Sequence, residues 1–196
     1  MTLRLGRHGT GYLYETSLSP RGVASWIRRG AISERTAIEI FDGAVRPLDY
    51  AGTDTISKPV RETRYFFGQA PGRVTGQYKT QLIDAPMRPA GQNRISAQVA
   101  IMLALKTNAQ ISGFPIFDRG RWKNYEFEVV GEQTVKTPSG RFDAVEVRYA
   151  SADGAKSWSL YCAESFSFLP VMIVYREGDK IKSRALLTDY RIDGSD

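Results

Sequence analysis

Polar and apolar residues alternate with a period of two through most of this chain, most plainly between Arg121 and Tyr190. Tyr125, Phe127 and Val129 take turns with Asn124, Glu126 and Glu128, the pattern of a strand with one dry and one wet face. Thr137-Pro138-Ser139-Gly140 then supplies a turn, proline presetting φ and glycine accepting a positive one. Val145, Val147 and Tyr149 resume the alternation, and Ala152-Asp153-Gly154 is a hairpin signal. Three further runs come after it, Ser157 to Cys162, Val171 to Arg176 and Ile181 to Tyr190, the last two joined by Glu177-Gly178-Asp179. The segment reads as an antiparallel meander.

The first half carries the same signature with two interruptions. Thr2 to Leu5 alternates, Arg7 to Gly11 is a turn, and Tyr12 to Tyr14 is the returning strand. A chain that opens inside a hairpin is expected to lack a native signal peptide and a first strand. Ser19-Pro20 reads as a helix cap with proline at the first helical position, and Val23, Trp26 and Ile27 fall at helical spacing, so a short helix is expected over Pro20 to Arg29. Strands are expected over Ala31 to Phe41, Val45 to Tyr50, Arg61 to Phe67 and Arg73 to Leu82, with a loop over Gly52 to Pro59. Pro86, Pro89 and Gly91 break regular structure before a second helix, Arg94 to Lys106, capped by Asn93. Its centre, Val99 to Leu105, is apolar on every side, which requires walls of protein around it. Ile111, Phe114, Ile116 and Phe117 lead back into the meander. The expected architecture is one mainly β domain over residues 1–196: a single curved antiparallel sheet of about eight to eleven strands, a half-barrel or open barrel, with two short helices on its concave face.

Composition narrows the function classes. At 196 residues, with 42% hydrophobic and 24% charged residues, the chain can bury a full core, and no apolar run reaches the ~20 residues that span a bilayer. The net charge of +6 is dispersed, Arg28-Arg29 and Arg119 to Arg121 being the densest groups, so nucleic acid is not an expected partner. One cysteine, Cys162, excludes an intrachain disulfide. One histidine, His8, leaves neither a zinc set nor a catalytic triad that does not depend on that single residue. No cofactor and no metal site is expected.

Candidate chemistry is sparse. Glu126 and Glu128 lie about 7 Å apart on one strand face, a spacing found in glycosidase acid pairs. They stand opposite Tyr125 and Phe127, where solvated carboxylates are the ordinary outcome. No phosphate loop and no nucleophile elbow is present. A non-enzymatic role is therefore expected, with a hydrolase as the third reading. The aromatic residues are richer: most fill the core, and the remainder are candidates for an apolar groove between sheet and helices, with Trp26, Met102, Phe114 and Trp158 as candidate ligand-binding residues.

Thr137-Pro138-Ser139-Gly140-Arg141-Phe142-Asp143-Ala144-Val145, then Trp158-Ser159-Leu160-Tyr161, Phe168-Leu169-Pro170-Val171 and Arg176-Glu177-Gly178 together resemble the domain-of-unknown-function 3108 family of exported Gram-negative proteins. Glu34 to Tyr50, with Asp42-Gly43 and Arg46-Pro47-Leu48, extends the resemblance to nearly the whole chain. Tyr161-Cys162-Ala163-Glu164 departs from the small apolar or proline-containing run more usual there. The resemblance implies a periplasmic or envelope location and a mostly antiparallel sheet, and supplies no catalytic residue. By architecture alone, the pattern is also similar to the periplasmic lipoprotein carriers, whose curved sheets hold acyl chains around short helices. The functional expectation is binding of an apolar or amphiphilic ligand, such as a lipid, in a groove between sheet and helices. The alternative is docking of an envelope protein or polymer on a sheet face or edge.

Overall fold

Where the sequence alternates, the backbone extends. The computed structural model describes residues 1–21, 29–69, 71–111, 113–151 and 154–192. Its first sheet contains β1 (Thr2–His8), β2 (Gly11–Leu18), β3 (Ile32–Phe41), β4 (Ala44–Pro47), β5 (Asp49–Asp54), β6 (Arg61–Phe67), β7 (Arg73–Tyr78) and β8 (Gln81–Pro86). A last strand, β16 (Asp189–Ile192), joins it from the far end of the chain, giving the order β16-β1-β2-β3-β5-β6-β7-β8 with β4 beside β3. The second sheet runs β15-β14-β13-β12-β11-β10-β9, from β9 (Gln92–Asn93), β10 (Gly113–Asp118), β11 (Arg121–Thr137), β12 (Gly140–Ala150), β13 (Lys156–Ala163), β14 (Leu169–Glu177) and β15 (Lys180–Leu186).

The expected single sheet is thus two, of nine and seven strands. The count exceeds expectation partly because runs expected as single strands are divided: Val45 to Tyr50 between β4 and β5, Ile181 to Tyr190 between β15 and β16, and Arg73 to Leu82 into a hairpin that turns at Lys79, whose φ is 55°. The loop expected from Gly52 also begins later, since β5 continues to Asp54. Between the sheets the ladder gives way to a few isolated bonds. On one side the chain passes from β15 to β16 through buried Leu187, with Leu187 N–H donating to Val171 C=O at 2.9 Å and Thr188 N–H to Met1 C=O at 2.9 Å. On the other side, Trp122 Nε1–H donates to the Pro86 carbonyl at 2.9 Å.

Among the described residues there is one α-helix, α1 (Ser96–Lys106). The helix expected over Pro20 to Arg29 centres on residues 22–28, outside the described residues, as are Ala152 and Asp153 of the expected hairpin turn. The helix begins at Ser96, two residues later than expected, with Ile95 and not Asn93 at its N-cap; Asn93 Oδ1 instead holds the turn before it, accepting from Ile95 N–H at 3.1 Å and Ser96 N–H at 2.9 Å. The helix is walled on two sides. Val99 and Met102 pack into a large core cluster with Tyr14, Ile38, Tyr65 and Phe117, whereas Ala97 and Ile101 pack with Phe127, Val147, Leu160 and Cys162. Burying two faces accounts for a helix sequence with no polar stripe.

The first sheet is broken at one place beneath the helix. β3 pairs with β4 through Ile38 to Phe41 and with β5 through Ile32 to Arg35, so Thr36 and Ala37 face a gap. Leu48 N–H donates to Ala37 C=O, Asp49 Oδ1 accepts from Ala37 N–H at 3.1 Å, and Thr36 Oγ1 donates to Asp49 C=O at 2.5 Å. Side chains complete the ladder where backbone cannot.

Gly76 is constrained by a close approach. Its φ is 139°, and a Cβ added there would lie 2.1 Å from the Arg64 carbonyl oxygen on β6. Gly76→Ala should therefore cost at least about 2 kcal/mol in denaturant unfolding, whereas Gly43→Ala, in an open turn, should cost about 1 kcal/mol. Equal midpoints for the two variants would contradict the close approach.

Candidate functional site

The register of the first sheet aligns Leu3, Thr16, Glu34, Gly52, Thr63 and Tyr78 across β1, β2, β3, β5, β6 and β7. This face looks toward α1, because Tyr14 on the same side of β2 donates from its hydroxyl to Gln98 Oε1 at 3.0 Å. Glu34 is therefore an acid on the dry face, 5% exposed. Such a charge requires partners. Arg94 supplies them, its Nε donating to Oε1 at 3.1 Å and its Nη2 to Oε2 at 2.5 Å in a bidentate pair. The Tyr50 hydroxyl donates to the same Oε1. Asn93 Nδ2 donates to Thr36 Oγ1 at 2.8 Å and Gln92 Nε2 to the Val45 carbonyl at 2.8 Å, which anchors the segment delivering Arg94.

A cavity of about 130 Å³ opens beside this pair. Ile32, Tyr50, Asp54, Arg61, Thr63, Tyr65 and Tyr78 line it from the first sheet, Arg94 from the crossing segment, and Phe117, Asp118 and Arg119 from the β10–β11 hairpin. Gly52 makes room for the Tyr50 side chain: a Cβ there would meet the Tyr50 hydroxyl at 2.7 Å. Tyr65 stacks on Tyr50 with ring centroids 5.7 Å apart and meets Phe117 edge-on at 5.0 Å. The Glu34 side chain is 3% exposed and that of Arg94 43%, so the acid is sealed while its partner faces the opening.

The protonation states are fixed by surroundings. Burial, with the Glu34 charge beside it, holds the Tyr50 hydroxyl well above its ordinary value. Burial pushes Tyr65 up to about 12, against the bond its oxygen accepts from Gly120 N–H at 3.1 Å. Arg94 is raised by Glu34 despite its desolvation. The tyrosines and the arginine are thus donors at neutral pH. Glu34, with both oxygens engaged, does not offer itself as a general acid or base. Among the described residues no group of three or more His, Cys, Asp or Glu side chains stands where it would hold a metal ion. A larger, open depression of about 410 Å³ covers the other face of β1, β2, β3 and β5, where Thr2, Ser17, Ser33, Thr53, Arg4, Glu15 and Arg35 project.

The candidate ligand-binding residues do not meet around a cavity. Met102 is buried in the larger core cluster. Phe114 packs on Phe127 with centroids 4.6 Å apart. Trp158 is half-buried in a ladder across β12, β13 and β14, stacked on Tyr149 at 5.3 Å and Tyr175 at 5.1 Å, with Tyr125 edge-on at 5.9 Å. Trp26 lies outside the described residues. Glu126 is exposed on β11, as is Glu128. His8 is exposed at the end of β1. The residues that do converge, Glu34, Tyr50, Arg61, Arg94 and Arg119, belong to no motif in the sequence. One signal was available: Ile32, Glu34, Thr36 and Ile38 share one strand face, and the flanking isoleucines mark it as the dry one.

The sequence profile of the family described as Protein of unknown function (DUF3108) matches residues 1–180. This chain belongs to the DUF3108 family. The match spans every element that builds the cavity in this DUF3108 protein. No curated protein matches the chain. Among solved structures, the crystal structure of a beta-barrel-like protein of domain of unknown function DUF1849 from Brucella abortus is similar, with 11% identity over 90% of this chain and 87% of that one and a TM-score of 0.47.

Trp158→Ala removes two stacked partners from a half-buried ring, so it should cost about 2 kcal/mol, less than the ~3–5 kcal/mol of a fully buried tryptophan, read as a shift in denaturation midpoint. A second expectation concerns Asp54. Burial opposes its ionisation, but the Ser57 hydroxyl at 2.6 Å, the Ser57 and Ile56 N–H groups and nearby Arg61 outweigh this and lower its pKa. A carboxylate depressed in the folded state stabilises above its unfolded pKa and loses that contribution as pH falls through the folded one. Asp54→Asn should therefore flatten the fall in Tm between about pH 5 and about pH 3 relative to wild type, measured by thermal melts across that range.

Proposed function

We propose that this protein is a non-enzymatic, exported binding protein that holds an amphiphilic ligand by its polar end in the cavity beside Arg94. The observation that carries the reading is the contrast inside one molecule. Met102 and Phe114 are packed into the two core clusters, while the space beside Glu34 and Arg94 is left open and lined by three tyrosines, Phe117 and three arginines. Ligand sites combine an apolar wall with a few convergent polar groups, and this one does so at the junction of the two sheets. At about 130 Å³ it suits a head group and not a whole acyl chain, whose apolar part would lie across Ile32 and the tyrosine rings toward the opening. The envelope location comes with the family resemblance and belongs to the same proposal.

A second reading, docking of an envelope protein or polymer, draws support from the filled interior and from apolar side chains left exposed around β3 to β6, namely Ile40, Phe41, Leu48 and Phe66.

Native mass spectrometry of protein purified from cells separates the two. The wild type should carry a co-purified small molecule, and Thr63→Phe, which fills the cavity from β6, should lose it while keeping a cooperative melt. A wild type free of any bound mass, with wild-type retention of partners by Thr63→Phe, would favour docking and end the ligand reading.

A further inference from the structure

The acids and the bases lining the cavity differ in how far they are already used. Glu34 accepts from Tyr50 and Arg94 on one oxygen and from Arg94 on the other. Asp54 Oδ1 accepts from Ile56 N–H and Ser57 N–H, each at 3.0 Å, and Oδ2 from the Ser57 hydroxyl at 2.6 Å. Asp118 Oδ2 is held by Lys123 Nζ at 2.5 Å. Glu34 and Asp54 thus have both oxygens engaged within the protein, and Asp118 has one.

The donors are less fully engaged. Arg94 spends Nε and Nη2 on Glu34, and its Nη1 has no acceptor among the described residues. Arg61 makes no ion pair within 4.0 Å and no hydrogen bond among the described residues, though it lies close enough to Asp54 to favour its charge. Among the described residues Arg119 reaches only Asp118, at 4.0 Å. The Tyr65 oxygen accepts from Gly120 N–H, leaving its proton without a protein acceptor among the described residues, and the Tyr78 hydroxyl is in the same position. Three guanidinium groups and two hydroxyls therefore border one small space with hydrogens to give, against a single carboxylate oxygen, Asp118 Oδ1, that accepts none among the described residues. With Lys123 on Asp118, the positive charges there exceed the negative by one: Arg61, Arg94, Arg119 and Lys123 against Glu34, Asp54 and Asp118.

We propose that this cavity recognises a phosphate ester, whose tetrahedral group accepts hydrogen bonds from several directions at once, with Arg61, Arg94 and Arg119 as its ligands. A planar carboxylate would satisfy one arginine fork and leave the others idle. The inference rests on the reading of the cavity as a binding site and names its chemistry. The ester occurs both as a lipid head group and as a soluble metabolite, and the two sources separate by affinity.

The test is calorimetric titration of the full chain with glycerol 3-phosphate, short-chain phosphatidic acid below its micellar concentration, and sodium acetate. Saturable binding of the phosphate probes is expected, weakened about ten-fold in Arg61→Gln and again in Arg119→Gln, each the loss of one charged donor. Both side chains are at least partly exposed, so the unliganded variants should melt as the wild type does. Lys180→Gln, on the exposed β14–β15 hairpin, should bind as wild type. Phosphatidic acid binding more tightly than glycerol 3-phosphate assigns a lipid source, and equal affinities assign a soluble one. Equal binding by wild type and both arginine variants, or acetate binding as well as phosphate, overturns the proposal. Absence of phosphate binding alongside a co-purified neutral or cationic molecule overturns it too, while leaving the cavity a binding site. Absence of both defeats the two readings together.

Discussion

A chain that crosses the space between two sheets takes its polar groups with it, and leaving them without partners there is costly, although here the buried Gln92 Oε1 has none among the described residues. This constraint governs residues 92–96. Within five positions the segment carries Gln92, Asn93, Arg94 and Ser96 between the sheets, and four acceptors wait for them: the Val45 carbonyl, Thr36 Oγ1, Glu34 and the Asn93 side chain itself. Each acceptor but the last lies on β3 or β4, at or beside the place where the β3 ladder breaks. The break and the crossing therefore need one another. Without Asn93, Thr36 would lose one of the partners that hold it in the gap. Without Glu34, the Arg94 guanidinium would lose the two carboxylate oxygens that hold it at the opening.

The same geometry gives the cavity its composite ownership. Glu34, Tyr50 and Gly52 come from the first sheet, Asp118 and Arg119 from a hairpin of the second, and Arg94 from the link between them. Its dimensions depend on how the sheets sit against each other, and the packing that sets this is aromatic: Tyr65 and Phe67 of the first sheet meet Phe117 of the second edge-on, with Trp122 completing the group. Rigid rings at the seam keep the opening from collapsing, since edge-to-face pairs resist sliding more than aliphatic contacts do.

Much of the fold was legible because strands and tight turns are written locally. Asp42-Gly43 and Glu177-Gly178 turn where the letters indicate, and the helix ends at Lys106 as expected. The split into two sheets was not legible, because it depends on which strands fail to pair across a seam, and pairing between Met1 and residues 186–188 carries no local mark. The hairpin at Lys79 was hidden for another reason: lysine seldom adopts a positive φ, so the turn lacked its usual residues. The site was less legible still. Glu34 and Arg94 are 60 residues apart, and each looks ordinary alone. Large apolar side chains such as Met102 and Phe114 stand out more in the letters, and in the fold they are packing.

The parallel pairing of β1 with β16 joins residues 2–5 to residues 189–192. During synthesis β1 therefore emerges long before the strand that completes its second edge. Until β16 arrives, one row of its backbone groups stands open, an invitation to any other extended chain nearby. Closure across a sequence separation as long as the 187 residues between Met1 and Thr188 is also a slow kind of contact to form. A protein built this way is most exposed to mispairing between the appearance of β1 and that of β16, so a holding factor that shields a strand edge would act on it most strongly before residue 189 is available, and least once the seam has closed.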